Sequence, residues 1–287
     1  MSREILVIGG TGFIGNEILK ALQYSEDRIT ILNRGNLQTG ARIGNVTRVI
    51  GDRNNPPAEI RNRMFDTVID TCGFKPEDFA IARMAKFKHY IFVSSVSVYS
   101  NDLVTAQTES AKKIDVTSMQ NNIDILNKHQ RYGLLKLLSE FEIRKISNNV
   151  SVVRPSIVLG KNENTGRLDY LRSLNQLQCR IPFQTDRKFQ FIDVADLANL
   201  IKIVISKTPG SDYNLVGPSI DWSEFVDAFL ECFSIRDYTL VSQVEDFPFW
   251  DNEPNIGLRS LTSEFDWVVN YPFTSLRKSL LNYQMSL

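Results

Sequence analysis

The feature that most constrains the fold is a cluster of glycines directly after a short apolar run near the amino terminus. Residues 5–8 read Ile-Leu-Val-Ile, and residues 9–15 read Gly-Gly-Thr-Gly-Phe-Ile-Gly. A buried strand that leads into closely spaced glycines brings the backbone near to another group, because glycine tolerates tight turns and close approach. Three interpretations fit: a bare tight turn, a phosphate-binding turn, or a sharp turn that presents a nucleophile.

The first half of the chain alternates short apolar runs with helical patterns. Apolar runs with little polar alternation, which is typical of strands covered on both faces, occur at 5–8, 29–32, 46–50, 67–71 and 89–93. Apolar residues at helical spacing follow the first run at 13–23. Strand and helix in alternation predict βαβ units, and therefore an α/β fold with a Rossmann-like, doubly wound parallel sheet.

Beyond about residue 155 this alternation loosens. Further helices are predicted near 168–178, 194–206 and 222–233. We predict a dinucleotide-binding domain in residues 1–155 with a returning segment near 189–216, and a small carboxyl-terminal substrate-binding cap from residues 156–188 and 217–287. A substrate pocket is expected between the two.

Charge and cysteine content argue against several classes of protein. The 33 basic and 33 acidic residues balance, which gives no electrostatic reason to expect nucleic acid or an anionic membrane as a partner. The three cysteines are far apart and predict neither a disulfide framework nor a metal site. No apolar run approaches the roughly 18 residues of a membrane span, and no secretory segment precedes the first strand. A cytoplasmic location is expected.

The glycine turn predicts a dinucleotide site. Gly10, Gly12 and Gly15 form the pattern G-x-G-x-x-G between a strand and a helix, which is the context that this pattern requires. Such glycines let the backbone approach a pyrophosphate, which the N–H groups of the helix terminus then bind. No Gly-Lys-Ser/Thr follows, so a P-loop is excluded, while a glycine turn without a ligand stays the alternative. The predicted contacts are Gly9, Thr11, Gly12, Phe13, Ile14 and Gly15.

The end of the second strand bears on the choice of nucleotide. NAD-binding units carry an Asp or Glu there for the ribose 2′-hydroxyl, whereas this chain has Asn33 and Arg34. A guanidinium can bind a 2′-phosphate through two hydrogen bonds, and a carboxylate would repel it. NADP is therefore predicted over NAD, unless Arg34 only covers the adenine. Asp52, after the third strand, is either an acceptor for the adenine amino group or a plain turn residue.

A second pattern predicts proton-transfer chemistry. Tyr132 and Lys136 are four residues apart in a helical stretch and so lie on one face of the helix. A lysine ammonium near a phenol lowers the pKa of the phenol from about 10, which allows the tyrosine to exchange a proton with a substrate oxygen. Ser94, Ser95 and Ser97 follow the strand at 89–93, at the sheet edge where α/β proteins bind ligands.

Taken together, these motifs resemble the extended short-chain dehydrogenase/reductases, also called the NAD-dependent epimerase/dehydratase family. The matching segments include its glycine turn, its Ser-Ser-x-x-x-Tyr strand end, its Tyr-Gly-x-x-Lys helix, and three later segments, at residues 9–15, 94–100, 132–136, 154–160, 191–198 and 213–217. The resemblance implies that Ser95 is the catalytic hydroxyl, Tyr132 the acid/base, and Lys136 its partner and a ligand of the nicotinamide ribose. Further cofactor contacts are expected from Asn33, Arg34, Asp52, Arg53, Cys72, Gly73, Ser94, Pro155, Ser156 and Val158.

The implied activity is that of an NADP-dependent reductase or epimerase acting on a secondary alcohol or ketone, with a sugar nucleotide as the favoured substrate. Val96 and Ser97 stand where sugar dehydratases of the family carry an Asp-Glu pair, which argues against dehydration. The resemblance also implies a homodimer through helices near 75–88 and 130–147. The alternative is a non-catalytic nucleotide-sensing or RNA-binding protein on the same fold, against which the intact Ser95, Tyr132 and Lys136 set argues.

Overall fold

The structure is a computed structural model that describes residues 2–35, 46–100, 108–173, 179–182, 188–236, 238–241 and 261–286. It divides into two compact units. The first unit comprises Met1–Val98, Ile114–Pro155 and Ala195–Leu215, and the second comprises Tyr99–Lys113, Ser156–Val194 and Val216–Leu287.

The strands of the described residues are β1 (Glu4–Ile8), β2 (Arg28–Asn33), β3 (Val46–Ile50), β4 (Met64–Asp70), β5 (Lys86–Val93), β6 (Val150–Pro155), β7 (Ile157–Leu159), β8 (Cys179–Pro182), β9 (Lys188–Asp193), β10 (Asp212–Leu215), β11 (Ser219–Asp221) and β12 (Tyr238–Val241). Their α-helices are α1 (Phe13–Leu22), α2 (Ala58–Arg61), α3 (Ala80–Met84), α4 (Val116–Asn121), α5 (Lys128–Ile146), α6 (Arg167–Ser173), α7 (Val194–Val204), α8 (Trp222–Cys232), α9 (Asp266–Val269) and α10 (Leu276–Gln284).

The first unit is built on a seven-stranded sheet in the order β10-β6-β5-β4-β1-β2-β3, and all of its strand pairs are parallel. Ile8 at the end of β1 is in register with Leu32 of β2 on one side and with Asp70 of β4 on the other. The strand order reverses at β1, and open α/β sheets bind ligands at the carboxyl ends of the strands at such a point. The predicted doubly wound parallel sheet is confirmed.

Burial explains why the strands of this sheet could be found from apolar runs. All four residues from Ile5 to Ile8 are buried, as expected for a strand covered on both faces. β4 and β5 each begin three residues before the predicted runs at 67–71 and 89–93. The ion pair between Lys88 and Asp66 interrupts the apolar pattern near the start of both strands, so the apolar runs began after it although Phe65 is buried as well.

The second unit contains a three-stranded sheet in the order β11-β9-β7 and a parallel pair of β12 and β8. Its core includes an aromatic row on α8, where the rings of Trp222 and Phe225 stack with centroids 4.7 Å apart. β9 pairs with β7 and β11, so the returning part of the first unit begins at Ala195 instead of near 189. An apolar run predicts a strand but does not indicate which sheet the strand joins.

The helices after residue 155 begin close to where they were predicted, with α6 at Arg167, α7 at Val194 and α8 at Trp222. Residues 174–178 of the first predicted helix lie outside the described residues. None of the helices in the described ranges combines the length and the apolar character that crossing a membrane requires.

His89 should make the stability of the fold depend on pH. The ring is buried between β5 and β6, where Nε2 lies 2.9 Å from the Ser151 hydroxyl, and burial lowers the pKa of His89 from 6.5 to about 4. Between these two values the unfolded chain binds a proton that the folded chain does not, so stability falls as the pH is lowered from 6.5 toward 4.

The wild type should lose unfolding free energy when the pH is lowered from 7.5 to 5. We expect this loss to be about 2 kcal/mol smaller in His89→Gln, because glutamine does not bind a proton. Urea unfolding of both proteins at the two pH values measures this difference, and the pH 7.5 pair corrects for any direct effect of the substitution. An identical loss in the two proteins would contradict the buried, neutral imidazole.

Candidate active site

The turn after β1 requires glycine at residue 15 for packing. Gly12 N donates to Gly9 O at 3.0 Å, and Gly9 has the positive φ of +86° that side chains rarely adopt. A Cβ on Gly15 would lie 2.2 Å from Gly9 O, so no side chain fits there. At Gly12 the nearest atom would be 3.4 Å away and the backbone is extended. The fold itself therefore does not need glycine at residue 12.

The helix terminus beside this turn is suited to an anion. α1 begins at Phe13, its N-cap residue Gly12 has no side chain, and its first turn contains no acidic residue. The first N–H groups of a helix have no partners within the helix, and its dipole favours negative charge there. A backbone that is open at Gly12 and a helix terminus without a side-chain cap fit a phosphate-bearing ligand.

The end of β2 carries a buried donor without a partner. The Oδ1 atom of Asn33 accepts hydrogen bonds from Gly35 N at 3.0 Å and Arg48 Nε at 3.3 Å, whereas its Nδ2 is buried and has no hydrogen-bond partner among the described residues. Such a group costs about 1–3 kcal/mol unless a ligand satisfies it. Arg34 is exposed next to it. These residues fit the ribose end of a dinucleotide.

Arg48 is a cation that the sequence analysis missed. It is exposed on β3 and its Nε donates to Asn33 Oδ1, so its guanidinium lies at the end of β2, which Arg34 follows directly in the chain. The parallel register of β3 against β2, which pairs Arg48 with Ile31, brings it there. A sequence pattern predicts the strand but not its register, and this is why Arg48 could not be identified from the sequence.

Arg53 is engaged within the protein. Its guanidinium pairs with the buried Asp70 at 2.9 Å, and it also donates to Asp78 O at 2.6 Å and Cys72 Sγ at 3.3 Å. Burial alone would raise the pKa of Asp70, but the charge and hydrogen bonds of Arg53, together with a hydrogen bond from Tyr90, lower it below its usual value. The predicted cofactor contact of Arg53 would have to compete with this ion pair.

Three further residues that were predicted to contact the cofactor, Cys72, Gly73 and Asp52, already have close neighbours within the protein. Burial raises the pKa of the Cys72 thiol to about 11, so it is protonated and unreactive at neutral pH. The thiol packs against the glycine turn, where a Cβ on Gly9 would be 3.0 Å from Sγ. A Cβ on Gly73 would be 2.9 Å from Phe79. Asp52 accepts a hydrogen bond from Asn54 N at 2.7 Å, as a turn residue does.

α5 brings the predicted catalytic residues to the same sheet edge. Its N-cap Asn127 accepts from Gln130 N, which fixes the start of the helix. A Cβ on Gly133 would lie 2.3 Å from Ser97 O, so only glycine allows the helix to contact the turn after β5 this closely. In that turn Ser95 Oγ lies 3.0 Å from Ser97 Oγ. Tyr132, next to Gly133, is 37% exposed.

Lys136 is buried and held by main-chain carbonyls. Its Nζ donates to Gly73 O at 2.7 Å and to Val93 O at 2.9 Å, at the carboxyl ends of β4 and β5. The Tyr132 ring centroid lies 5.9 Å from the same Nζ. Burial lowers the pKa of Lys136 to about 8, against the opposing effect of the Asp70 carboxylate. The ammonium is therefore close to Tyr132, as the four-residue spacing predicts.

The Ser94 hydroxyl is hydrogen-bonded to a buried ion pair that was not predicted from the sequence. Its hydroxyl donates to Glu140 Oε1 at 2.6 Å, and Arg154 donates to the two oxygens of that carboxylate at 2.9 and 2.7 Å. Glu140 lies four residues after Lys136 on the inner face of α5. This four-residue spacing from Lys136 is the sequence signal that could have placed Glu140 on the same face of the helix.

The remaining predicted contacts lie at the end of β6 and in the second unit. Pro155 is the last residue of β6, and Val158 is half-buried in β7. Ser156 is buried, and no atom in the described part of the chain forms a hydrogen bond with its hydroxyl oxygen. Their roles in binding a cofactor stay predictions, as do those of the other site residues.

One family model matches part of the chain. The family model NAD_binding_4, described as "Male sterility protein", matches residues 78–186, which include Ser95, Tyr132 and Lys136. A search of curated proteins finds no match to the sequence.

Solved structures match the whole chain. UDP-N-acetylglucosamine 4-epimerase from Methanobrevibacter ruminantium M1, in complex with UDP-N-acetylmuramic acid, is 15% identical with a TM-score of 0.74, covering 100% of this chain and 99% of that one. UDP-glucuronic acid 4-epimerase from Bacillus cereus, in complex with UDP-glucuronic acid and NAD, is 16% identical with a TM-score of 0.74, covering 99% and 98%. The epimerase Mth375 from Methanothermobacter thermautotrophicus is 16% identical with a TM-score of 0.73, covering 99% and 92%.

The chain therefore has the fold of these epimerases. The family model and the structural matches are both consistent with the resemblance to the extended short-chain dehydrogenase/reductases.

Two glycine substitutions should separate packing from ligand approach. We expect Gly15→Ala to lower the melting temperature, because its Cβ would overlap Gly9 O. Gly12→Ala should leave the melting temperature near that of the wild type but weaken NADPH binding by about tenfold or more, since the methyl group occupies the path of the backbone toward a phosphate. Thermal melts and fluorescence titration with NADPH measure both effects. Wild-type NADPH affinity in Gly12→Ala would contradict a phosphate at this turn.

Proposed function

We propose that this chain is a nicotinamide-dinucleotide-dependent epimerase or oxidoreductase that acts on a secondary alcohol or ketone of a sugar nucleotide. The observation that carries the proposal is the buried Lys136 ammonium beside Tyr132 at the carboxyl edge of a sheet whose first strand ends in an open glycine turn. Two of the epimerases that share the fold are solved with UDP-sugars, and one of these two also with NAD, which supports this substrate and cofactor class.

The chain's own residues divide into a binding group and a reacting group. The glycine turn and the start of α1 would hold the pyrophosphate, and the unpartnered Asn33 amide would donate to the ribose end. When bound, the dinucleotide would accept hydride from the substrate carbon and return it. Ser95 would donate a hydrogen bond to the substrate oxygen, and Tyr132 would take its proton and give it back.

Lys136 makes this role of Tyr132 physically reasonable. A positive charge near a phenol stabilises the phenolate, and its effect is larger where water is excluded. Lys136 is only 2% exposed, and two main-chain carbonyls fix its position. The ammonium therefore acts on Tyr132 from a constant position.

Within this proposal we favour epimerisation over net reduction, because the structures of shared fold are epimerases by name. An epimerase returns the hydride to the carbon from which it came, so its cofactor is not consumed. We also infer a homodimer through α3 and α5, where the apolar side chains of Met84 and Phe141 are 39% and 45% exposed.

We further propose that NADP is preferred over NAD. The support is the position of two exposed guanidinium groups, Arg34 and Arg48, around the Asn33 amide at the end of β2, with no carboxylate in the Asn33–Arg34 pair. A 2′-phosphate would gain charge-assisted hydrogen bonds there that a 2′-hydroxyl could not make.

Arg34→Ala should remove most of the preference for NADPH over NADH. A charge-assisted contact to the 2′-phosphate is worth on the order of 1.5–3 kcal/mol, so NADPH affinity should fall by roughly ten- to a hundredfold while NADH affinity changes little. Arg48→Ala should act in the same direction, and Arg236→Ala, an exposed arginine of the second unit, serves as control. Fluorescence titration gives the affinities. Equal wild-type affinity for the two nucleotides would count against this assignment.

Tyr132→Phe should abolish most turnover without abolishing dinucleotide binding. Loss of a positioned acid/base lowers turnover by about 100- to 10,000-fold, whereas the ring that remains keeps its packing. The assay incubates a panel of UDP-sugars with NAD or NADP and separates epimeric products by chromatography, with consumption of NADPH followed in parallel. Tyr24→Phe, at a tyrosine that is 89% exposed, is the control. Near-normal turnover in Tyr132→Phe would refute the acid/base role, and nucleotide binding by a wild type inactive on the whole panel would favour the non-catalytic alternative.

A further inference from the structure

Phe74 is an apolar side chain that is 52% exposed on a fixed piece of backbone. It follows the end of β4 by four residues, and its N–H donates to Asp78 Oδ2 at 2.8 Å. The preceding Gly73 is packed so closely that a Cβ would lie 2.9 Å from Phe79. The position of the Phe74 ring is therefore set by its main chain, although burial of the ring contributes little to the core.

This ring covers the Lys136 ammonium. Its centroid lies 4.8 Å from Nζ, while those of Phe92 and Tyr132 lie 4.9 Å and 5.9 Å away. Phe92 is fully buried, so Phe74 and Tyr132 are the two partly exposed rings around the ammonium. An ammonium has three N–H donors. Two of them bind the carbonyls of Gly73 and Val93, and the third has no hydrogen-bond acceptor among the residues that the structure describes.

We propose that Phe74 is a positioning residue of the Tyr132–Lys136 pair, whose ring covers the Lys136 ammonium and keeps water away from it. The charge of Lys136 then acts on Tyr132 and on a bound ligand instead of being screened by solvent. The catalytic part of this inference rests on the proposed function, whereas the covering of the ammonium does not.

Removing the Phe74 ring should change the pKa of Lys136. Burial is the main cause of its lowered pKa of about 8 against an ordinary value of 10.5. Removing the ring would admit water, which stabilises the charged form and raises the pKa, so the variant would stay charged at a pH where the wild type has lost its proton. The other ionisable groups that act on Lys136 stay in place in such a variant, namely Asp70, Cys72, Arg53 and Glu140.

Nuclear magnetic resonance of protein labelled with ¹³C at the lysine ε-carbons measures this titration directly, and Lys136→Met identifies the resonance. In Phe74→Ala the Lys136 midpoint should rise by about one pH unit or more relative to the wild type. In Phe74→Leu it should stay at or below the wild-type midpoint, because apolar cover is kept while the cation–π attraction, which favours the charged form, is lost. Tyr24→Ala, at an exposed aromatic residue away from Lys136 in the sequence, should leave it unchanged.

The proposal is overturned if Lys136 titrates with the same midpoint in folded Phe74→Ala as in the wild type. It is also overturned if the midpoint rises equally in Phe74→Ala and Phe74→Leu. If Phe74→Ala does not fold, Phe74→Val is measured in its place and the same criteria apply. The titration needs neither cofactor nor substrate, so its failure is distinguishable from a failure of the proposed function, which is tested by turnover in Tyr132→Phe. If both hold, the alkaline limb of the turnover profile should move to higher pH in the Ala variant.

Discussion

The buried ammonium of Lys136 joins the three elements on which the candidate site depends. It is carried by α5 and bonded to the carbonyls that end β4 and β5, at Gly73 and Val93. A buried charge is costly unless it is hydrogen-bonded, and here two carbonyls and three aromatic rings surround it. If α5 moved along the sheet, these bonds would break, so the ammonium fixes the helix that also carries Tyr132.

A second buried contact fixes the same helix one turn later. Glu140 is bonded to Arg154 of β6, and both side chains are almost fully buried. Such pairs add little net stability, but removing Arg154 would leave the buried Glu140 carboxylate without its cation, which costs about 3–5 kcal/mol. Because Glu140 also accepts from Ser94, the pair defines one arrangement of α5 relative to the end of β5. Gly133, in contact with Ser97, sets the separation between the helix and the turn.

The sequence was sufficient for those features that depend on local pattern. The glycine turn, the parallel strands and the spacing of Tyr132 and Lys136 all follow from residues close together in the chain, and the structure has the turn, the sheet and the helix in those places. The partners of Lys136 and Arg53 come from distant segments, and no pattern indicates them. Phe74 has no apolar periodicity around it, so its place over an ammonium could be seen only in three dimensions.

Cofactor choice and bond chemistry depend on different elements of this fold. The residues that would distinguish NADP from NAD lie at the ends of β2 and β3, where Asn33, Arg34 and Arg48 are grouped. The residues for which we propose a role in the reaction lie on α5 and after the end of β5, on the other side of β1 in the sheet order. Structures that are 15–16% identical share the sheet, but such similarity does not fix side chains at one strand end. An epimerase solved with NAD is therefore compatible with the NADP preference that we propose for this chain, because the contacts around Asn33 are separate from those of Lys136.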